Sequence, residues 1–226
     1  MTAQPAFAPV KLLPARDRLA RHRHPTAYAT IVLEGGYAEF GETGRIEAGP
    51  GDILVHAPFC AHADRGGARV SRLVNLALPG RPRTGIARSG DLDLIVRLAR
   101  GDPLEAAAEI ARLAVVPANR EADWPDALAR RLSEQDVDLA AFAREAGLRP
   151  ETVSRGFGSR FGIAPQSFAA EARARRAWRA AVDTPASLSA IASETGFCDQ
   201  AHMTRAVTAL TGAPPGAWRR AAALPA

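Results

Sequence analysis

Two arginines stand at matched places in the second half of the sequence. Arg155 belongs to one helical unit and Arg205 to a second copy of it. If both units are helix-turn-helix readers, these guanidinium groups can bond guanine O6 and N7, worth roughly 1–3 kcal/mol of discrimination each. The first half holds a different chemistry. His22, His24 and His62, with Tyr28 and His56 near them in sequence, offer imidazole and phenol groups that can line a cavity or take a metal. The sequence has no nucleophile elbow, phosphate-binding glycine loop or paired CxxC. Catalysis is therefore not expected.

The elements that must position the arginines are helices. Leu188 to Thr195 reads as a short helix that Gly196 breaks, glycine being free to take φ > 0. Asp199 opens a second helix and sets a negative charge at its N-terminus, where the dipole favours it. Met203, Ala206, Val207 and Leu210 form one apolar stripe. Gln200, Ala201, Thr204, Arg205 and Thr208 are left outside. Upstream, Asp138 to Gly147 and Leu148 to Gly162 repeat this plan. Gly147 answers Gly196, Arg155 answers Arg205, Phe157 answers Val207, and Gly162 answers Gly212. Each terminal glycine is followed by Pro at +3 (Pro165, Pro215) and an aromatic at +6 (Phe168, Trp218). Repetition of a whole supersecondary unit is hard to obtain by chance.

The paired units, at 138–162 and 187–212, are joined by a helix near Ser167 to Val182. With the segment Ile191-Ala…Gly196-Phe197…Asp199-Gln…His202…Arg205, they resemble the DNA-binding domain of the AraC/XylS transcription regulators over roughly Trp124 to Arg220. The resemblance implies double-stranded DNA as partner. Glu151 and Ser154 would accompany Arg155 at the bases, and Gln200, Ala201 and His202 would accompany Arg205. Glu151 repels phosphates, so it must accept from cytosine or stay clear of the backbone. Phe168, Ala174, Ala177, Trp178 and Ala181 give the joining helix a stripe for packing against both units. Its Arg173, Arg175, Arg176 and Arg179 are candidates for phosphate contacts. The first unit departs from the pattern. Gly156 and Gly158 fall inside its reading helix, and Arg149 stands where a capping Ser or Asn is usual.

The first half reads as strands. Tyr28–Leu33, Tyr37–Phe40, Arg45–Ala48, Ile53–His56 and Arg69–Leu78 are punctuated by Gly35-Gly36, Gly41–Gly44, Gly49–Gly51 and Pro58. This pattern suits a small antiparallel barrel or jelly roll. Residues 1–20 show little pattern. Leu33-Glu-Gly35 and Gly49-Pro-Gly51-Asp52…Pro58-x-x-x-His62 resemble cupin motifs. That resemblance implies a small-molecule effector pocket at His22, His24, Tyr28 and His62. His22, His24 and His62 match three ligands of metal-binding cupins. The carboxylate usual after the second histidine is absent, since Tyr28 and Ala29 occupy that region, and His56 substitutes only if its strand turns it inward. No cofactor is assigned, and a divalent metal is the one candidate.

Between the halves, Pro79 to Gly85 reads as a linker and Leu92 to Ala99 as a helix. A second helix runs Leu104 to Val116, with apolar residues at Leu104, Ala107, Ala108, Ile110 and Leu113. Asp123-Trp124-Pro125 opens another, through Leu132. Relatives use such helices to dimerise, and packing within one chain is the equal alternative. The 226 residues carry 28 arginines and one lysine, Lys11, with a net charge of +5, compatible with phosphate contacts. No apolar run approaches a membrane span, no signal-peptide pattern opens the chain, and Cys60 and Cys198 suggest no disulfide framework. A cytoplasmic location is expected.

The expected architecture is thus α+β with two domains: a cupin-like antiparallel β-barrel at 1–80, a linker and helical segment at 81–123, and an all-α DNA-binding domain at 124–222. The expected function is a DNA-binding transcription regulator that senses a small molecule and can form a homodimer. A ligand-independent or redox-modulated DNA binder with a dimerising cupin is the alternative, and a metal-dependent cupin enzyme the third.

Overall fold

The computed structural model describes residues 10–116 and 123–223. The chain divides into two units, Met1–Asp126 and Ala127–Ala226. The α+β, two-domain expectation holds.

In the first unit two antiparallel sheets are formed. The five-stranded sheet has the order β1-β8-β3-β6-β9, from Val10–Leu13 (β1), Ser71–Ala77 (β8), Tyr28–Glu34 (β3), Asp52–His56 (β6) and Gly85–Arg88 (β9). The four-stranded sheet has the order β2-β7-β4-β5, from Arg18–Arg23 (β2), Ala61–Gly66 (β7), Tyr37–Gly41 (β4) and Gly44–Ala48 (β5). Side chains alternate between faces along each strand. Ala29 and Ile31 of β3, Ile53 and Val55 of β6, and Val74 and Leu76 of β8 turn to one face. There they pack with Ile95 and Ala99 of α1 (Leu92–Gly101) and with Ala106, Ala107 and Ile110 of α2 (Pro103–Arg112). Val32, Leu54 and Leu73 turn the other way, against Leu13, Tyr37, Ile46 and Ala48. Burial on both faces explains why β3 and β6 carry apolar runs rather than simple alternation.

The helices after residue 80 are therefore part of this unit's core and do not stand as a separate segment. Asp91 and Asp102 cap them, each accepting from the backbone N–H three residues on. Helix α2 ends at Arg112, earlier than the expected Val116. Val116 instead bridges Ile86 beside β9. Leu104, one of the apolar residues expected in that helix, is 72% exposed. The opening residues also hold more than the sequence suggested, since β1 and β2 occupy part of the stretch that looked patternless.

The second unit is helical. It comprises most of α3 (Trp124–Glu134), then α4 (Leu139–Glu145), α5 (Pro150–Phe161), α6 (Pro165–Asp183), α7 (Leu188–Glu194), α8 (Gln200–Thr211) and α9 (Pro215–Ala223). Helix α6 has 19 residues and is about 28 Å long at ~1.5 Å per residue. It packs against α5, α7, α8 and α9. Phe168, Ala174, Ala177, Trp178 and Ala181 are all buried along it. No helix among the described residues is long and apolar enough to cross a membrane.

Candidate functional site: paired reading helices and a polar cavity

The repeat seen in the sequence is a repeat in space. In both copies a seven-residue helix ends in the same hydrogen-bonded stop. Gly147 N–H donates to Arg144 and Leu148 N–H to Ala143; Gly196 N–H donates to Ser193 and Phe197 N–H to Ala192. This pair of bonds needs a left-handed residue, supplied by Gly147 (φ 66°) and Gly196 (φ 78°). Both second helices have 12 residues and close on a left-handed glycine, Gly162 or Gly212. Val153, Phe157 and Phe161 bury one face of α5; Met203, Val207 and Leu210 bury one face of α8. Ala206, placed in that stripe by spacing, is only half-buried.

Burial of one face exposes the other. Glu151, Ser154 and Arg155 are exposed on α5, and Gln200, Ala201 and Arg205 on α8. His202 is half-buried and meets the Phe197 ring edge-on at 5.1 Å. The two helices start differently. Asp199 Oδ1 accepts from His202 N–H at 2.6 Å, whereas Arg149 makes no side-chain cap. In α5 three stacked and edge-on rings, Phe157, Phe161 and Phe168, with centroids 4.5–5.7 Å apart, fix the C-terminal half instead.

The arginines of α6 have internal partners. Arg173 pairs with Asp136 at 2.8 Å, Arg176 donates to the carbonyl of Ser133 at 2.9 Å, and Arg179 lies 3.6 Å from Asp183. Burial also lowers the Arg176 pKa. These groups tie α6 to the end of α3 and to itself, so Arg173, Arg176 and Arg179 already have structural partners. A Coulomb partner for an Arg run is invisible until the fold brings Asp136 alongside.

The histidines converge in the first unit, between the sheets. Cross-strand register explains this. His22 faces His62 across β2 and β7, and Glu39 faces Asp64 across β4 and β7. Tyr28 faces His56 across β3 and β6, and Thr30 faces Asn75 across β3 and β8. Lys11, His22, His24, Tyr28, Tyr37, Glu39, His62, Asp64 and Asn75, among others, line a small cavity of about 30 Å³. His56 does turn inward, as the alternation from Ile53 requires.

The groups are linked. Tyr28 Oη and His62 Nε2 lie 3.1 Å apart, and the Tyr28 ring stacks on His56 at 4.2 Å. His56 Nε2–H donates to Glu39 Oε2 at 2.8 Å. His22 Nδ1–H donates to the Ala20 carbonyl at 2.9 Å, which leaves its Nε2 as the lone-pair atom. Burial pulls the His62 pKa down to about 3, against the opposing charge of Glu39. His24 is lowered by burial and by His22. Burial pushes Glu39 up, but His56 and His62 outweigh it and the net direction is down. Burial and Glu39 raise Asp64 to about 7, and Tyr28 is raised by burial so that it stays a phenol.

A metal at His22, His24 and His62, as the resemblance implies, meets fitting residues. Their ligand nitrogens lie within 4.8 Å of one another. His62 Nδ1 is buried without a hydrogen-bond partner among the described residues, and the downward shifts of His24 and His62 favour the neutral imidazoles that a metal needs. Sequence reasoning missed Glu39, Asp64, Asn75 and Lys11. Their only signal was inward position on strands whose register was not yet known.

The helix-turn-helix domain family matches residues 142–221. No curated relative matches the chain. Among solved structures, ToxT from Vibrio cholerae O395 is similar over 95% of this chain and 96% of its own, at 8% identity and a TM-score of 0.43. The DNA-binding domain of AdpA, solved in complex with a target DNA, is similar over 44% of this chain and 93% of its own, at 23% identity and a TM-score of 0.41. The C-terminal domain of AraT from Geobacillus stearothermophilus is similar over 43% of this chain and 81% of its own, at 21% identity and a TM-score of 0.38.

Proposed function

We infer that the chain, whose residues 142–221 match the helix-turn-helix domain family, is a DNA-binding transcription regulator of the AraC type. Helices α5 and α8 enter successive major grooves. Arg155 and Arg205 bond guanine edges, with Glu151 and Ser154 beside the first and Gln200, Ala201 and His202 beside the second. Gln200 is suited to adenine and the Ala201 methyl to a thymine methyl. His202 contributes less, because Phe197 already occupies part of its ring. The cavity between the sheets holds a small polar effector, and its occupancy changes how the second unit sits on the operator. Regulation by a ligand is preferred over catalysis because the reading helices are complete.

The observation that carries the reading is the matched pair of 12-residue helices, each presenting an exposed arginine at the same place relative to its closing glycine. The test is binding of the purified protein to DNA upstream of its own and neighbouring genes, over a range of salt. Arg205→Ala is expected to weaken specific binding by roughly 5- to 150-fold, the equivalent of about 1–3 kcal/mol for a bidentate base contact. Binding driven by salt alone, with no preferred site and no effect of Arg205→Ala, would refute it.

A further inference from the structure

We propose that Glu39, His56 and His62 form a seat for a divalent transition-metal ion on the floor of the cavity, offset from the His22–His24–His62 set that the cupin resemblance implies. One ligand atom from each of the three lies within 4.8 Å of the others. They come from three strands, β4, β6 and β7, and are 2%, 1% and 3% exposed. Two imidazoles and one carboxylate suit a borderline divalent ion, and this donor set leaves open positions for water or another ligand.

Three observations favour this inner seat. First, His56 Nδ1 and His62 Nδ1 are both buried without a hydrogen-bond partner among the described residues. Native structures rarely leave such atoms unmet without an ion or a water to explain them. Second, Glu39 is a carboxylate in a nearly dry site, and its hydrogen bond from His56 supplies a donor but no full countercharge unless that imidazole is protonated. Buried charges are paired or coordinate metals. Third, His22 and His24 are half-buried, so their nitrogens can be met by water, and they bring no negative charge to offset a dication. Glu39 and His62 both line the cavity, which gives the ion its path. An ion at the unmet His56 Nδ1 leaves the bond to Glu39 in place, and an ion at Nε2 shifts the proton now given to Glu39 onto Nδ1, so the neutral imidazole releases none to solvent. The alternative without metal is the hydrogen-bonded His56–Glu39 pair alone.

The test uses the full chain, treated with chelator and titrated with Co²⁺ while visible absorption is recorded. One Co²⁺ per chain is expected, with visible bands of a low-symmetry nitrogen and oxygen site. Glu39→Gln keeps the shape and removes the charge, and is expected to weaken binding at least about tenfold. Should Glu39→Gln fail to melt cooperatively, His56→Gln serves in its place. Absence of Co²⁺ binding overturns the proposal in favour of the hydrogen-bonded pair alone. Full binding by Glu39→Gln, with loss in His24→Ala, overturns it in favour of the outer set. A role for the ion in signalling rests on the regulator reading. Co²⁺ binding with no change in operator affinity refutes that role while leaving the seat in place, and absence of specific DNA binding in every state counts against the regulator reading alone.

Discussion

Gly158 lies inside α5, and an added methyl group there has room. A Cβ built on it meets only the Ile163 carbonyl oxygen, at 3.9 Å, an ordinary contact. Its φ is not in the left-handed region, so alanine fits the backbone as it stands. Glycine in a helix interior costs about 1 kcal/mol relative to alanine, through the freedom it retains in the unfolded chain. Gly158→Ala is therefore expected to stabilise the second unit by about 1 kcal/mol. For a unit of this size that is a rise in Tm of roughly 4–8 °C, readable by far-UV circular dichroism. Amide exchange gives the local version. In the free protein α5 combines Gly156, Gly158 and an uncapped start, together costing about 3 kcal/mol against a helix without these defects. Its amides should exchange faster than those of α8, by up to about a hundredfold where the Phe157–Phe161–Phe168 cluster does not hold the turn. Gly158→Ala should narrow that gap. An unchanged or lower Tm, or equal protection of α5 and α8 in the wild type, would refute the reasoning and show that the aromatic cluster sets the stability of the whole helix.

Asp199→Ala removes the oxygen that accepts from His202 N–H and should cost about 1 kcal/mol by thermal unfolding, with exchange accelerated in the first turn of α8. Arg176→Gln should lower Tm, because it breaks the bond to the Ser133 carbonyl, yet leave the slope of DNA affinity against salt unchanged; a shallower slope would place Arg176 on phosphate after all. Gly35→Ala should destabilise the first unit by more than 2 kcal/mol in denaturant titration, since the residue sits at φ 77° and its Cβ would lie 2.5 Å from the Val70 carbonyl oxygen. Gly212→Ala, at φ 82° in open space, should cost less, about 1–2 kcal/mol from backbone strain alone.

The second unit was the more legible in the sequence, for a physical reason. A helix writes its buried face, its start and its stop into a local stretch, so Met203, Val207, Asp199 and Gly212 could be assigned without knowing any partner. What failed there was non-local. The pairing of Arg173 with Asp136 depends on where α3 ends relative to α6. In the first unit the strands of β3 to β6 were readable from their turns, but β1 and β2 were not, because Arg18–Arg23 carries mostly polar side chains and shows no apolar alternation. The site suffered most. His62 and His22 could be nominated by type, yet Glu39 enters only through its register opposite Asp64, and register is a property of paired strands.

The chain's five histidines are distributed in a way that an experimenter can exploit. Three of them, His22, His24 and His62, line the cavity, His56 stacks on the lining residue Tyr28, and the fifth, His202, lies on α8. Imidazole carbon-bound protons resonate apart from most other signals, so an unmodified protein carries its own spectroscopic probes at the two places that matter. A compound that enters between the sheets will move the four-membered group first. A duplex that docks will move the single outlier. Joint movement of both sets on adding either partner would report communication between the halves without a label or a substitution.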